Sequence, residues 1–263
     1  MSIELIVNAD DLGYDPAIDQ GILEAHAKGI VTAASAMVDT PFAARALAEA
    51  PASLDLGLHV VVPVNCGEAQ LPAEIARQLA LFRAYRGAAP SHLDSHRHAH
   101  AAPVALPAFA EAALREGLPL RALDAAMRSA LQFTGVATAD AFLGDAALRP
   151  CWTLERLLAT LDVLPELSEQ AAPQVAGPQR AGRRAVSERG ACAAQPLTSS
   201  RPIIVELMCH PGRAPTHVRT SFAAEREVEL AALCDPGVRA ALAAAGVALR
   251  GFAAALPRRI GAS

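Results

Sequence analysis

Aromatic residues are scarce in this 263-residue chain, at one Trp, two Tyr and seven Phe, or 4% of the total. The apolar fraction is 52% and comes mainly from Ala, Leu and Val, which suits helices packed on buried strands and argues against an all-β sandwich. Basic stripes interleaved with aromatic platforms are missing as well, and the net charge is only −4, so nucleic acid is not expected as a partner. The five cysteines, Cys66, Cys151, Cys192, Cys209 and Cys234, form no CxxC pair. An odd, scattered set does not make a disulfide framework, and the chain reads as cytosolic with reduced thiols. No apolar run approaches the ~20 residues of a bilayer span, so no membrane partner is expected. The opening MSIELIVNADD reaches carboxylates without a basic leader, which speaks against a secretion signal. No internal repeat is present.

What the chain does have is alternation. Ile3 to Val7 is a short apolar run stopped by NADDLG, which predicts a buried strand and a polar loop. Asp15 and Pro16 then cap and open a helix whose apolar positions, Ile18, Ile22, Leu23 and Ala25, run to Gly29. VTAASAMV, LDLGLHVVV, the stretch around His92, LPLRAL, PIIVELM and VALRGF repeat the strand signal. PFAARALAEA, PAEIARQLALFRAY, VALPAFAEAALREG, LERLLATLDVL and one last helix from EREVELAALCD through GVRAALAAAG repeat the helix signal. Strands alternating with helices predict a parallel sheet covered by helices, as a barrel or an open sheet. Polar residues fall at the ends of several different strands, which is where a barrel assembles its site. The expected organisation is one domain over 1–263, with a flexible surface insertion from Ser168 to Arg201, where Ala, Gln, Pro, Ser and Arg replace apolar period.

Four of the eight histidines are packed into HLDSHRHAH. On an extended strand His92, Asp94, His96, His98 and His100 would share one face, but a turn would divert the later ones, so one or two are expected in a common site. NADDLG sets Asp10 beside Asp11. Adjacent side chains diverge, so one can bind a cation while its neighbour stays free to take a proton, and Asp15 is already placed to cap the following helix. His59, inside LGLHVVV, is a costly guest without a partner. One carboxylate with two imidazoles is a recurrent divalent-metal set. His210 follows the strongest strand; Cys209 beside it points the other way and is no nucleophile for it. Glu206 is a buried carboxylate for which the sequence names no partner.

In order, IVNADDLGY, LGLHV, SHLDSHRHAH and VELMCHPG resemble the YdjC-like carbohydrate deacetylases, the family that includes diacetylchitobiose deacetylase. A weaker likeness through GIVTAASAMVDTP, LPLRALD and REVELAALCDPGVRAALAAAGVAL covers most of the chain outside the insertion. The resemblance implies a distorted, TIM-like (β/α) barrel and hydrolysis of the acetamide of an N-acetylated, chito-oligosaccharide-like sugar. It also implies one divalent metal ion, Mg2+ on the family's pattern, with Zn2+ or another transition metal as the alternative. By position, Asp11, His59 and His96 would hold the metal and Asp10 would be the base. Asp94 and His98 would orient His96 or its water, while His92 and His100 would be structural. His210 is the candidate acid for the departing amine; its alternative role is to bond a ligand or loop. Arg121 would contact sugar hydroxyls, orient Asp10 or lie at the surface. The alternative to an enzyme is a catalytically silent member that keeps metal and sugar binding. A metal-dependent phosphoesterase would want phosphate-binding arginines or a bridging carboxylate near the metal, and the sequence singles out neither. A homodimer is left open. The chain departs from the family's pattern in a short segment between His59 and His92 and in the insertion, both expected to shape the mouth of the cleft.

Overall fold

The chain starts in the middle of its own sheet. In the computed structural model, which describes residues 2–144, 151–164 and 201–257, strand β1 (Ile3–Leu12) has parallel neighbours on both sides. That position explains its almost unbroken burial, since a strand covered on both faces needs apolar residues at every step. The remaining strands are β2 (Ala33–Ala36), β3 (Asp55–Val60), β4 (Leu93–Ser95), β5 (Ala141–Leu143), β6 (Ile203–Cys209) and β7 (Val247–Leu249). Their order is β4-β3-β2-β1-β6-β5, with β7 also on β1, and every pairing is parallel. Leu120 makes a single bridge to Leu93, and its N–H donates to Ala137 O at 2.9 Å, so backbone continues past the β4 edge. The sheet curls into a half-barrel within one α/β domain, the expected architecture in an incompletely closed form.

Helices α1 (Pro16–Lys28), α2 (Ala43–Glu49), α3 (Leu71–Arg86), α4 (Leu106–Glu116), α5 (Ala125–Phe133), α6 (Leu154–Asp162), α7 (Ala224–Leu233), α8 (Pro236–Ala244) and the short α9 (Phe252–Ala255) cover it. Asp15 caps α1 as expected, accepting from Ala17 N at 2.9 Å. No helix among the described residues is long and apolar enough to cross a membrane.

Several elements differ from the sequence expectation. The last helix is two: Pro236 cannot donate to the preceding turn, and Asp235 caps a new helix through Gly237 N at 2.7 Å. LPLRAL contributes one bridge rather than a strand. Helix α5, capped by Asp124, and strand β5 were not anticipated. The insertion lies outside the described residues except for Arg201, whose two terminal nitrogens hold Asp140 at 2.6 and 2.8 Å.

Two local features place the site. Strand β1 runs on through NADDL to Leu12 instead of stopping at Val7, and its register with β2 slips by one residue between Ala9 and Leu12. Asp11 sits in that bulge at φ 75°, a left-handed conformation that costs a non-glycine residue and re-aims its side chain. Gly57 is the second. A Cβ there would fall 2.3 Å from the His92 ring, so the glycine of LGLHV makes room for a histidine from the next strand.

Candidate active site

Asp10, Asp11, His59, His96, His98 and His210 line one cavity of about 470 Å3, so residues spread over two hundred positions meet in one place. The bulge is the reason both aspartates arrive together. On a regular strand they would face opposite sides, whereas here both reach the cavity.

Asp11 Oδ1 stands 3.5 Å from His59 Nε2 and 3.3 Å from His96 Nδ1. It is buried and accepts no hydrogen bond among the described residues. Its other oxygen, Oδ2, accepts from Arg226 Nη2 at 2.5 Å. Burial works to raise the Asp11 pKa, but Arg226 and then His96, His210 and His59 hold it well below the usual carboxylate range. The ionised oxygen and two ring nitrogens form a compact donor set that suits a divalent cation, and the orphaned Oδ1 is the atom such a cation would satisfy. Asp10, His59 and Asp94 form a second close group, but its facing atoms are already bonded within the protein.

His59 Nδ1 lies 2.7 Å from Asp94 Oδ1, which leaves Nε2 facing Asp11. Burial lowers the His59 pKa, yet Asp94, Asp10 and Asp11 outweigh it and raise the ring to about 9. Asp94 therefore orients His59, rather than His96 as the resemblance implied, and is fully buried. His96 reaches the cavity from the turn after β4. The alternation of HLDSHRHAH ends there, because His96–Ala101 is a 3-10 helix with Arg97 and His98 at φ 53° and 54°. His98 also lines the cavity, with a buried Nδ1 that has no partner among the described residues. His92 and His100 are buried behind it. His92 stacks on Phe252 at 3.7 Å and bonds Ser35 and Ser91, while His100 bonds Ser95. Desolvation lowers both rings to about 3.

Asp10 is not free. Both its oxygens accept from Arg121 at 2.8 Å, and Asn8 Nδ2 donates to Oδ1 at 2.8 Å. Burial would raise its pKa, but Arg121 and His59 bring it below the ordinary value, so it stays ionised. Arg121 is fully buried, not a surface arginine, and also meets Asp94 Oδ2 at 2.8 Å and Glu206 Oε1 at 2.7 Å. Glu206 thus has its partner, although burial still lifts its carboxyl to about 7. His210 is lowered to about 4 by burial, against the pull of Asp11 and Asp10. Its backbone N–H donates to Glu229 at 2.5 Å, which fixes the loop, and its ring packs 5.3 Å from Phe222. Burial raises the Cys209 thiol well above its ordinary pKa, consistent with an inert core residue.

Three arginines at the cavity were not anticipated: Arg97 and Arg219, both exposed, and Arg226, which is buried. Arg226 sits in an amphipathic helix where an arginine reads as solvent-facing, so no sequence signal marked it.

Comparison with known proteins gives a consistent relationship. A family described as YdjC-like protein matches residues 4–67 and 62–244. The chain is 29% identical over 273 residues to a carbohydrate deacetylase of Geobacillus stearothermophilus, covering 93% of this chain and 94% of that one. It is likewise 29% identical over 280 residues to a chitooligosaccharide deacetylase of Serratia marcescens, covering 94% and 97%. The solved structure of a candidate cellobiose-phosphate cleavage protein of Enterococcus faecalis V583 shares the fold, with a TM-score of 0.74 at 23% identity over 97% of this chain and 99% of that one.

Proposed function

The chain belongs to the YdjC-like family, and from that premise we propose that it is a metal-dependent carbohydrate deacetylase that hydrolyses the acetamide of an N-acetylated sugar. The observation that carries this reading is Asp11 Oδ1, an ionised, buried oxygen without a hydrogen bond among the described residues, which faces two imidazole nitrogens across 3.3 and 3.5 Å. The names of the relatives, carbohydrate and chitooligosaccharide deacetylase, support the substrate class.

Asp11, His59 and His96 would hold the divalent ion. Such an ion, when bound, supplies a water of lowered pKa and polarises the acetyl carbonyl. Asp10 is the base: ionised and fixed by Arg121, it presents a carboxylate of set direction to the proton that the attacking water must lose. Its low basicity is offset by position, because a tethered acceptor needs no reorganisation. Asp94 keeps His59 in one tautomer, and Arg121 ties Asp94 and Asp10 into one rigid unit. His210 is the acid. Burial lowers its ring to about 4, negative charge developing beside it favours the protonated form, and the proton it hands to the departing amine is the one that Asp10 takes from the attacking water.

The exposed arginines do not turn the balance toward a phosphoesterase. Asp10, the only further carboxylate lining the cavity among the described residues, is committed to Arg121.

Acetate release should be measured over a panel of N-acetylated mono- and disaccharides, after chelation and again after adding back Mg2+ or Zn2+. Release that disappears with the metal and returns with it is the expected result. Full metal binding with no release from any sugar would favour a silent binding protein instead.

A further inference from the structure

Arg226 leaves one end of its guanidinium with nothing to hold. The residue is 2% exposed, its Nε donates to Phe222 O at 3.0 Å and its Nη2 to Asp11 Oδ2 at 2.5 Å. Nη1 is buried and has no partner among the described residues. A buried charged donor with an unmade hydrogen bond is costly, and where the group lines a cavity the natural acceptor is a ligand. Arg226 lines the cavity beside the Asp11, His59 and His96 cluster.

Its position is built rather than incidental. Gly212, from the HPG that follows β6, leaves space for the arginine stem, since a Cβ there would meet Arg226 Cδ at 3.1 Å. The guanidinium carbon lies 5.9 Å from the Phe222 ring centre, and the same ring packs against His210. Asp11 fixes the fork from one side and Phe222 from the other, so the free nitrogen points in a set direction.

We propose that Arg226 Nη1 is the anion end of an acetyl subsite: it donates to the acetyl oxygen, holds the charge that oxygen gains, and then retains acetate. The proposal rests on the deacetylase reading. As water oxygen bonds to the carbonyl carbon, the π pair moves onto the carbonyl oxygen. When that pair returns, the C–N bond breaks, the nitrogen leaves as the amine with the proton it has received, and the carbon remains in acetate. Negative charge is therefore created on one small group, and acetate keeps it. Depth selects that group. Arg97 and Arg219 are exposed, whereas Arg226 is buried beside Asp11, so a ligand group that meets it has to be small. Because the Asp11 contact occupies Nη2, a role confined to positioning Asp11 leaves Nη1 unexplained.

The test compares wild type with Arg226→Lys and Arg226→Gln in three measurements: metal content per chain, kcat and KM for acetate release, and affinity for 13C-labelled acetate by NMR titration. A lysine ammonium keeps the charge beside Asp11 but cannot serve both acceptors. Arg226→Lys should retain the metal, lose ~10²–10³-fold in kcat with KM nearly unchanged, and bind acetate at least ~10-fold more weakly, as expected for loss of an oxyanion donor. Wild-type acetate affinity in metal-loaded Arg226→Lys would overturn the proposal. Loss of metal from both variants would also overturn it, by making Arg226 a positioning residue for Asp11. If the wild type releases acetate from no sugar, the deacetylase reading fails by itself, and the acetate titration still decides whether Nη1 binds the anion.

Discussion

His59 and Asp94 face each other in register on neighbouring parallel strands, and the Nδ1 of one lies 2.7 Å from the Oδ1 of the other. Strand pairing alone sets this contact, which fixes the imidazole that faces Asp11. Replacing a carboxylate that orients a ligating histidine typically costs 10–100-fold in metal affinity. Asp94→Asn should fall in that range in a competition titration against a chelator of known affinity. Unchanged affinity would show that His59 needs no such orientation.

The ligands and the base should separate by readout. His59→Ala and His96→Ala are expected to lose most of about one divalent ion per chain, measured by elemental analysis. Asp10→Asn should keep the ion and lose ~10²–10⁴-fold in turnover, because a proton acceptor acts in the transition state. Full occupancy in the two histidine variants would remove them from the set.

The role of His210 depends on the leaving group. His210→Ala should retain metal and lose ~10²–10⁴-fold on an ordinary acetamide, but much less on a substrate whose amine leaves readily. An equal loss on both substrates would assign His210 to positioning instead of proton donation.

Arg121 joins three buried carboxylates, so its loss should be severe. Arg121→Met leaves Asp10 and Asp94 buried without their cation and should cost about 3–5 kcal/mol in urea unfolding. Glu206→Gln should cost far less, because burial already raises that carboxyl to about 7 and an amide keeps an acceptor for Arg121 Nε. Equal costs would mean that Glu206 is needed as a charge.

His92 gives a pH test away from the cavity. Burial lowers its pKa from 6.5 to about 3, so below pH 6.5 the unfolded chain takes up a proton that the folded ring refuses. The ring's contribution is complete above pH 6.5 and is lost as pH falls toward 3. Between pH 7 and pH 5 the stability advantage of wild type over His92→Gln should shrink by about 2 kcal/mol. A constant gap in unfolding experiments at the two pH values would show that the ring is not held neutral.

The sequence by itself determined the alternation of strands and helices and the cap at Asp15, because strand periodicity and capping act over a few residues; the candidate set Asp11, His59 and His96 came from motifs that resemble a family. Alternation in HLDSHRHAH indicated only that one or two of its histidines share a site; His96 and His98 line the cavity, and His92 and His100 are buried. Tertiary structure alone decided the rest. The bulge that turns both aspartates into one cavity needs β2 as its reference, and the room for His92 exists only because Gly57 lies on the strand beside it. Arg121 meets Asp10 across 111 positions and Arg226 meets Asp11 across 215, and nothing local distinguishes either from a solvated arginine. Charge pairing over such distances is specified by which strand and helix ends the half-barrel brings together. The candidate residues were therefore named along the chain, whereas the cations that hold Asp10 and Asp11 in place appear only once the sheet has curled.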